Sequence, residues 1–282
     1  MALDLPAYLQ RIGAADAQRA DLATLRRIAL AHPLAIAFEN LDAFRGVGVS
    51  LALEDVQRKL VSEGRGGWCF EHNLLLGEAL RELGFTVHDR AARVLWGRDT
   101  ATQSPRTHRL LEVQCDGRRW LVDGGFGGQT LTGILDMDQR DPQATPHEWF
   151  RLREFDGDLL LEALPTGAGT GAKANTDATA SAGWRPLYRF DHAPQWPMDF
   201  EAANFQLARD PRSHFTKQLI AARPTESGRW SLNNRELTWR GLDGSEQRQR
   251  LADVAALQEA LREHFGVRGE RLAGLQEKFN GL

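Results

Sequence analysis

Cysteine is scarce in this chain, with only Cys69 and Cys115 among 282 residues. That excludes a disulfide framework, leaves a cysteine-built structural zinc site short of ligands, and points to a reduced, cytoplasmic setting. No apolar run approaches the roughly 18 residues that a membrane-spanning helix needs. The opening MALDLPAYLQRIG lacks the basic-then-apolar order of a signal peptide. Basic charge is not in excess, the formal net charge being −3. This argues against nucleic acid or an anionic membrane as a partner. Neither the GxGxxG dinucleotide fingerprint nor the P-loop signature is present, no short-spaced ligand pair calls for a metal, and no internal repeat is evident. What remains is 42% hydrophobic and 26% charged, an ordinary globular composition. At about 150 residues per domain the length predicts two domains or three small ones.

The periodicity changes along the chain. The first 85 residues read as helical. Tyr8, Leu9 and Ile12 share a face, as do Leu22, Leu25 and Ile28, and Val56 with Leu60, while Gly13, Pro33 and Gly64 are expected to break these runs. Another helix is expected to start near Cys69, with Leu76, Ala79, Leu80 and Leu83 as its stripe and Gly84 at its end. Residues 86–96, 108–115 and 118–123 then read as strands, and Asp116-Gly117 as a two-residue hairpin turn. Further strands are expected at 148–153, 159–164, 229–232 and 236–240, and a helix at 253–265. The Gly/Ala/Thr-rich stretch 165–183 reads as a flexible loop or linker. The order is therefore helical, then β, then mixed α/β.

RGGWCFEHN is the most informative segment. Two glycines precede a helix whose first turn carries Cys69. Free N–H groups and the helix dipole there favour negative charge, and so the nucleophilic thiolate; the alternative is a small buried hydrophobe. A nucleophilic cysteine needs a base and the base an orienting group. If Asp116-Gly117 is a two-residue turn, Cys115 faces Arg118 and Asp123 falls opposite Leu110. His108 and Asp123 then become diagonal neighbours on one sheet face, about 7–8 Å apart at the backbone. A slip of one residue would separate them. The opposite face, with Leu111, Val113, Cys115, Trp120 and Val122, reads as core. His72, one helical turn after Cys69, competes as base. The glycine run 124–128 reads as a tight turn that allows a ligand close to the backbone.

These segments, RGGWCFEHN with Cys69, THRLLEV with His108 and LVDGGFGG with Asp123, together resemble the arylamine N-acetyltransferase family. YLQRIG at 8–13, IAFENLD at 36–42 and, more loosely, residues 204–223 extend the resemblance over most of the chain. The resemblance implies an α+β protein: a helical domain over 1–85 carrying the nucleophile, a β-barrel over 86–190 carrying the histidine and aspartate, and an α/β lid over 191–282, around a core like that of cysteine proteases. It implies Cys69, His108 and Asp123 as a catalytic triad. It implies acetyl-CoA as donor, with Thr107, Gly125, Phe126 and Gly127 near it. Arylamines or hydrazines are the implied acceptors, with Phe38, Phe70, Val94 and Phe126 lining their pocket. Two positions depart from the family pattern: Gly124, usually β-branched and expected to loosen the backbone beside Asp123, and Ala37, often proline. A cysteine hydrolase or amide synthase would use the same residue types in the same order. A binding protein that keeps the pocket without the chemistry is a further alternative.

Overall fold

The computed structural model describes residues 2–164, 183–268 and 272–282. The helices are α1 (Leu5–Arg11), α2 (Leu22–Ala35), α3 (Leu41–Phe44), α4 (Leu53–Gln57), α5 (Cys69–Glu82), α6 (Pro197–Arg209), α7 (Val254–Glu263) and α8 (Leu275–Asn280). Asp4, Asp21 and Asp253 cap α1, α2 and α7 by accepting from backbone N–H groups three residues on, as N-cap aspartates do. Pro33, expected to break a helix, lies inside α2. It costs one hydrogen bond in the last turn only, and the helix runs two residues further before Ile36 turns extended.

Strands β2 (Thr86–Val94), β3 (Arg106–Cys115), β4 (Arg118–Val122), β5 (Leu135–Asp136), β6 (Gln143–Ala144), β7 (Trp149–Phe155), β8 (Asp158–Leu164) and β9 (Arg185–Phe190) form an antiparallel sheet in the order 5-4-3-2-9-8-7-6. The sheet curls into a nearly closed eight-stranded barrel. Gln143 bridges the seam: its side chain accepts from the Asp136 N–H and donates to the Asp136 carbonyl, where ladder bonds would otherwise be. Leu110, Leu121, Phe150, Leu161 and Tyr188 fill the interior. The alternate residues of β3 and β4, namely Leu111, Val113, Cys115, Trp120 and Val122, face outward onto α1, α2 and α5. Cys115 is thus a packing residue.

The second sheet runs β1 (Phe38–Glu39), β10 (Ile220–Thr225), β11 (Gly228–Asn233), β12 (Glu236–Gly241), β13 (Glu246–Arg250). Its first strand comes from the N-terminal segment: Phe38 pairs with Ala222. Ala37, Leu41 and Phe44 share a core with Leu232, Leu257 and Phe265. The stretch read as a linker at 165–183 lies, apart from Gly183, outside the described residues. Among the described residues no helix is long and apolar enough to cross a membrane.

Candidate active site

α5 begins at Cys69 itself. Its entry is held by buried charge. The Glu71 carboxylate accepts from the Trp68 N–H and from Lys59 Nζ at 2.8 Å, and Arg65 pairs with Glu39 and Asp42. Gly66 has no room for a side chain, since a Cβ would lie 2.2 Å from the Ala37 carbonyl oxygen. The Trp68 indole donates to Asn204 of α6.

The β3–β4 hairpin has the register of a two-residue turn: Cys115 pairs with Arg118 and Leu111 with Val122. Asp116 and Gly117 both have positive φ, as a type I′ turn demands. His108 and Asp123 therefore share a face, and His108 Nε2 lies 2.7 Å from Asp123 Oδ2. Opposite β2 the register shifts, Ala92 pairing with His108 and Arg93 with Arg106, so Thr107 is the extra residue of a β-bulge. The thiol of Cys69 donates to the carbonyl of Thr107 at 3.7 Å, the residue beside His108, and lies near enough to favour the charged form of the His108 ring.

Asp123 is fully enclosed and accepts from Asn73 Nδ2, Tyr188 Oη and the Gly125 N–H as well as from His108. Burial pushes its pKa upward, yet the His108 charge and these donors hold it below the usual carboxylate range. Burial also disfavours a charged His108, but the Asp123 carboxylate and, less strongly, the nearby Cys69 outweigh this and raise it to about 10. Asp123 thus favours the charged form of the His108 ring.

His72 cannot compete as base. It faces away, with Nδ1 2.9 Å from His32 Nε2 and Nε2 3.1 Å from the Ala37 carbonyl, and burial lowers it to about 4. Phe126 meets the His108 ring edge-on at 5.2 Å. Phe38 is buried, 6.3 Å from Phe215, a ring that pattern reading missed because it reaches the site from a turn far along the chain. Phe70 packs on Trp68 and Phe200 instead. Val94 lies at the end of β2, paired with Tyr188. Gly127 has φ +87° and lies against the Phe38 ring, whereas the Gly125 N–H is already engaged by Asp123. At Gly124 a Cβ would fall 2.8 Å from His32 Cδ2 and 3.1 Å from Leu76 Cδ2, so the position has no room for a larger residue as His32 and Leu76 stand. Asn73, which donates to Asp123 and accepts from the Gly124 N–H, and Tyr188 were also not read from the sequence. Asn73 had a signal, lying one turn from Cys69 on the same helix. A cavity of about 540 Å³ lies over the second sheet, bounded by Gly128, Ala222, Ser231, Arg240 and Arg250.

A family model described as N-acetyltransferase matches residues 21–272. The chain belongs to the arylamine N-acetyltransferase family. An arylamine N-acetyltransferase of Mycolicibacterium smegmatis is 38% identical over 97% of this chain and 95% of its own. The structure of the Mycobacterium marinum arylamine N-acetyltransferase in complex with CoA superposes with a TM-score of 0.87 at 34% identity, covering 99% of both chains. The Salmonella typhimurium enzyme gives 0.88 at 31%, covering all of both chains. The chain is thus an enzyme, a transferase of the arylamine N-acetyltransferase type, and its barrel and mixed architecture are those of this family.

Proposed function

We propose that this enzyme moves an acetyl group from acetyl-CoA to the nitrogen of arylamines or hydrazines by a ping-pong route through an acetyl-cysteine. The placing of Cys69 against the Thr107 carbonyl at 3.7 Å, next to a His108 that Asp123 holds at 2.7 Å, carries the reading. The Cys69 thiolate attacks the thioester carbonyl. The tetrahedral intermediate collapses with loss of CoA thiolate, and the His108 proton goes to that leaving sulfur. The neutral amine then attacks the acetyl-cysteine, His108 takes the amine proton, and the product amide leaves Cys69 as the thiolate beside imidazolium. Backbone N–H groups at the start of α5 would face the oxyanion, an interaction worth about 3–4 kcal/mol.

In this reading Phe38, Phe126 and Phe215 form the acceptor wall, where flat aromatic amines stack. Such amines are weak bases, unprotonated near neutral pH and so ready to attack. The cavity over the second sheet would take the CoA nucleotide, with Gly127 and Gly128 letting the pantetheine pass and Arg240 and Arg250 available to its phosphates. Residues 191–282 would act as the lid, since Phe215 and the second sheet complete one side of the cleft.

Intact-mass measurement after incubation with acetyl-CoA alone tests the proposal. One acetyl group should be retained on the wild type and be absent from Cys69→Ala. Rapid release of free acetate without an acceptor would instead mark a hydrolase, and the absence of any adduct would overturn the covalent route.

A further inference from the structure

We propose that His32 and His72 are positioning residues of this site: His32 stands in the space a side chain at 124 would occupy, His72 in the space of one at 125, and together they set how closely the Asp123 turn approaches the Cys69 helix. The inference rests on the role proposed for Cys69. Four buried groups form a chain: Tyr8 Oη lies 2.9 Å from His32 Nδ1, His32 Nε2 lies 2.9 Å from His72 Nδ1, and His72 Nε2 lies 3.1 Å from the Ala37 carbonyl. Tyr8, His32 and His72 are all within 1% of full burial.

The direction of the chain is forced. A carbonyl only accepts, so His72 carries its hydrogen on Nε2. A neutral His72 then accepts at Nδ1, His32 must donate from Nε2 and accept at Nδ1, and the Tyr8 hydroxyl must donate. Every polar atom in the chain is satisfied by one arrangement, with both rings neutral and in the Nε2–H tautomer. Such a chain resists rotation of either ring, because a flipped ring would leave a buried donor or acceptor unpaired.

The two rings stand behind the glycines that join Asp123 to Phe126. A Cβ on Gly124 would fall 2.8 Å from His32 Cδ2 and 3.1 Å from Leu76 Cδ2. A Cβ on Gly125 would fall 2.9 Å from both Cys69 Cα and His72 Cβ. His32 thus supplies from α2 the volume that residue 124 lacks. The far end of the chain, the Ala37 carbonyl, also accepts from the Gly67 N–H, two residues before the nucleophile. One rigid element therefore touches the aspartate turn, the cysteine helix and the loop that leads into it.

Gly124→Ala and Gly124→Val, each alone and combined with His32→Ala, test this. The readouts are kcat, KM for acetyl-CoA, and the rate at which iodoacetamide alkylates Cys69, located by peptide mass. Gly124→Val should lower kcat by about a hundredfold with KM changed by less than about twofold, and should slow alkylation. Adding His32→Ala, which clears the space, should restore at least about tenfold of both rates. Long-range 1H–15N spectra of the wild type should show both histidines as the Nε2–H tautomer. Wild-type rates in the single 124 variants, a double variant no faster than Gly124→Val, or an Nδ1–H tautomer at either ring would overturn the proposal. If Gly124→Val does not fold, the alanine series and the tautomers decide. Alkylation does not require acetyl transfer, so a wild type that never takes up acetyl would refute the function while leaving this inference readable.

Discussion

Two walls of the same cleft are assembled in opposite ways. The imidazole and carboxylate come from neighbouring strands joined by two residues, and their meeting follows from turn type and strand period alone. The wall behind them comes from α1, α2, α5 and the residue before β1, through partners 24, 40 and 35 positions apart in sequence. The first wall is local and carries the charge. The second is long-range and neutral, and holds the first at the right distance from the sulfur. Chemistry can therefore be lost by altering a charge or by altering a spacing, and the two failures should be separable.

The largest effect should come from the charged wall. Asp123→Asn keeps the shape but removes the carboxylate that raises His108, and kcat should fall by about 10⁴-fold, the scale of neutralising a triad carboxylate. A loss below tenfold in steady-state assays would remove Asp123 from the mechanism. Gly125→Ala tests spacing alone. Its methyl would press on the Cys69 backbone, and kcat should fall by about a hundredfold with the His108–Asp123 bond intact.

The pH dependence of stability distinguishes the walls by sign. His108 is raised to about 10 in the folded state, so its contribution is complete below its unfolded value of 6.5 and is lost as pH rises through about 10. His72 is lowered to about 4, and His32 is also lowered, chiefly by burial. In that range the unfolded chain binds more protons, so stability falls as pH drops from 6.5 toward 4. Melting temperatures across the range should decline on both sides, and His72→Gln should flatten the acid side only. An unchanged acid slope in that variant would contradict the neutral assignment. The smallest effect belongs to the hairpin tip. Gly117→Ala places a side chain at φ +71° and should cost about 1 kcal/mol, a drop of a few degrees in melting temperature, with kcat unchanged.

What could be read from residues in order follows the same division. The start of α5 at Cys69, the turn at Asp116-Gly117, the register that pairs Cys115 with Arg118 and the outward core face of β3 and β4 all depend on contacts within a few residues or on a period of two. Pro33 lies within α2 rather than ending it, because a proline near a helix end removes one bond without stopping the last turn. Tyr188 and Phe215 reach the site only through tertiary packing, and no spacing announces them. His32 is opaque for a further reason: its role is to fill a space left by a glycine 92 positions later, a relation between volumes rather than between patterns.

The pairing of Phe38 with Ala222 bears on how the molecule is made. The side chain of Asn40 binds the carbonyl of Gln218, 178 residues further on. During synthesis Cys69, His108 and Asp123 all leave the ribosome long before Phe215 and the strand that pairs with Phe38. The aromatic contact of Phe38 with Phe215 is thus completed only late in translation.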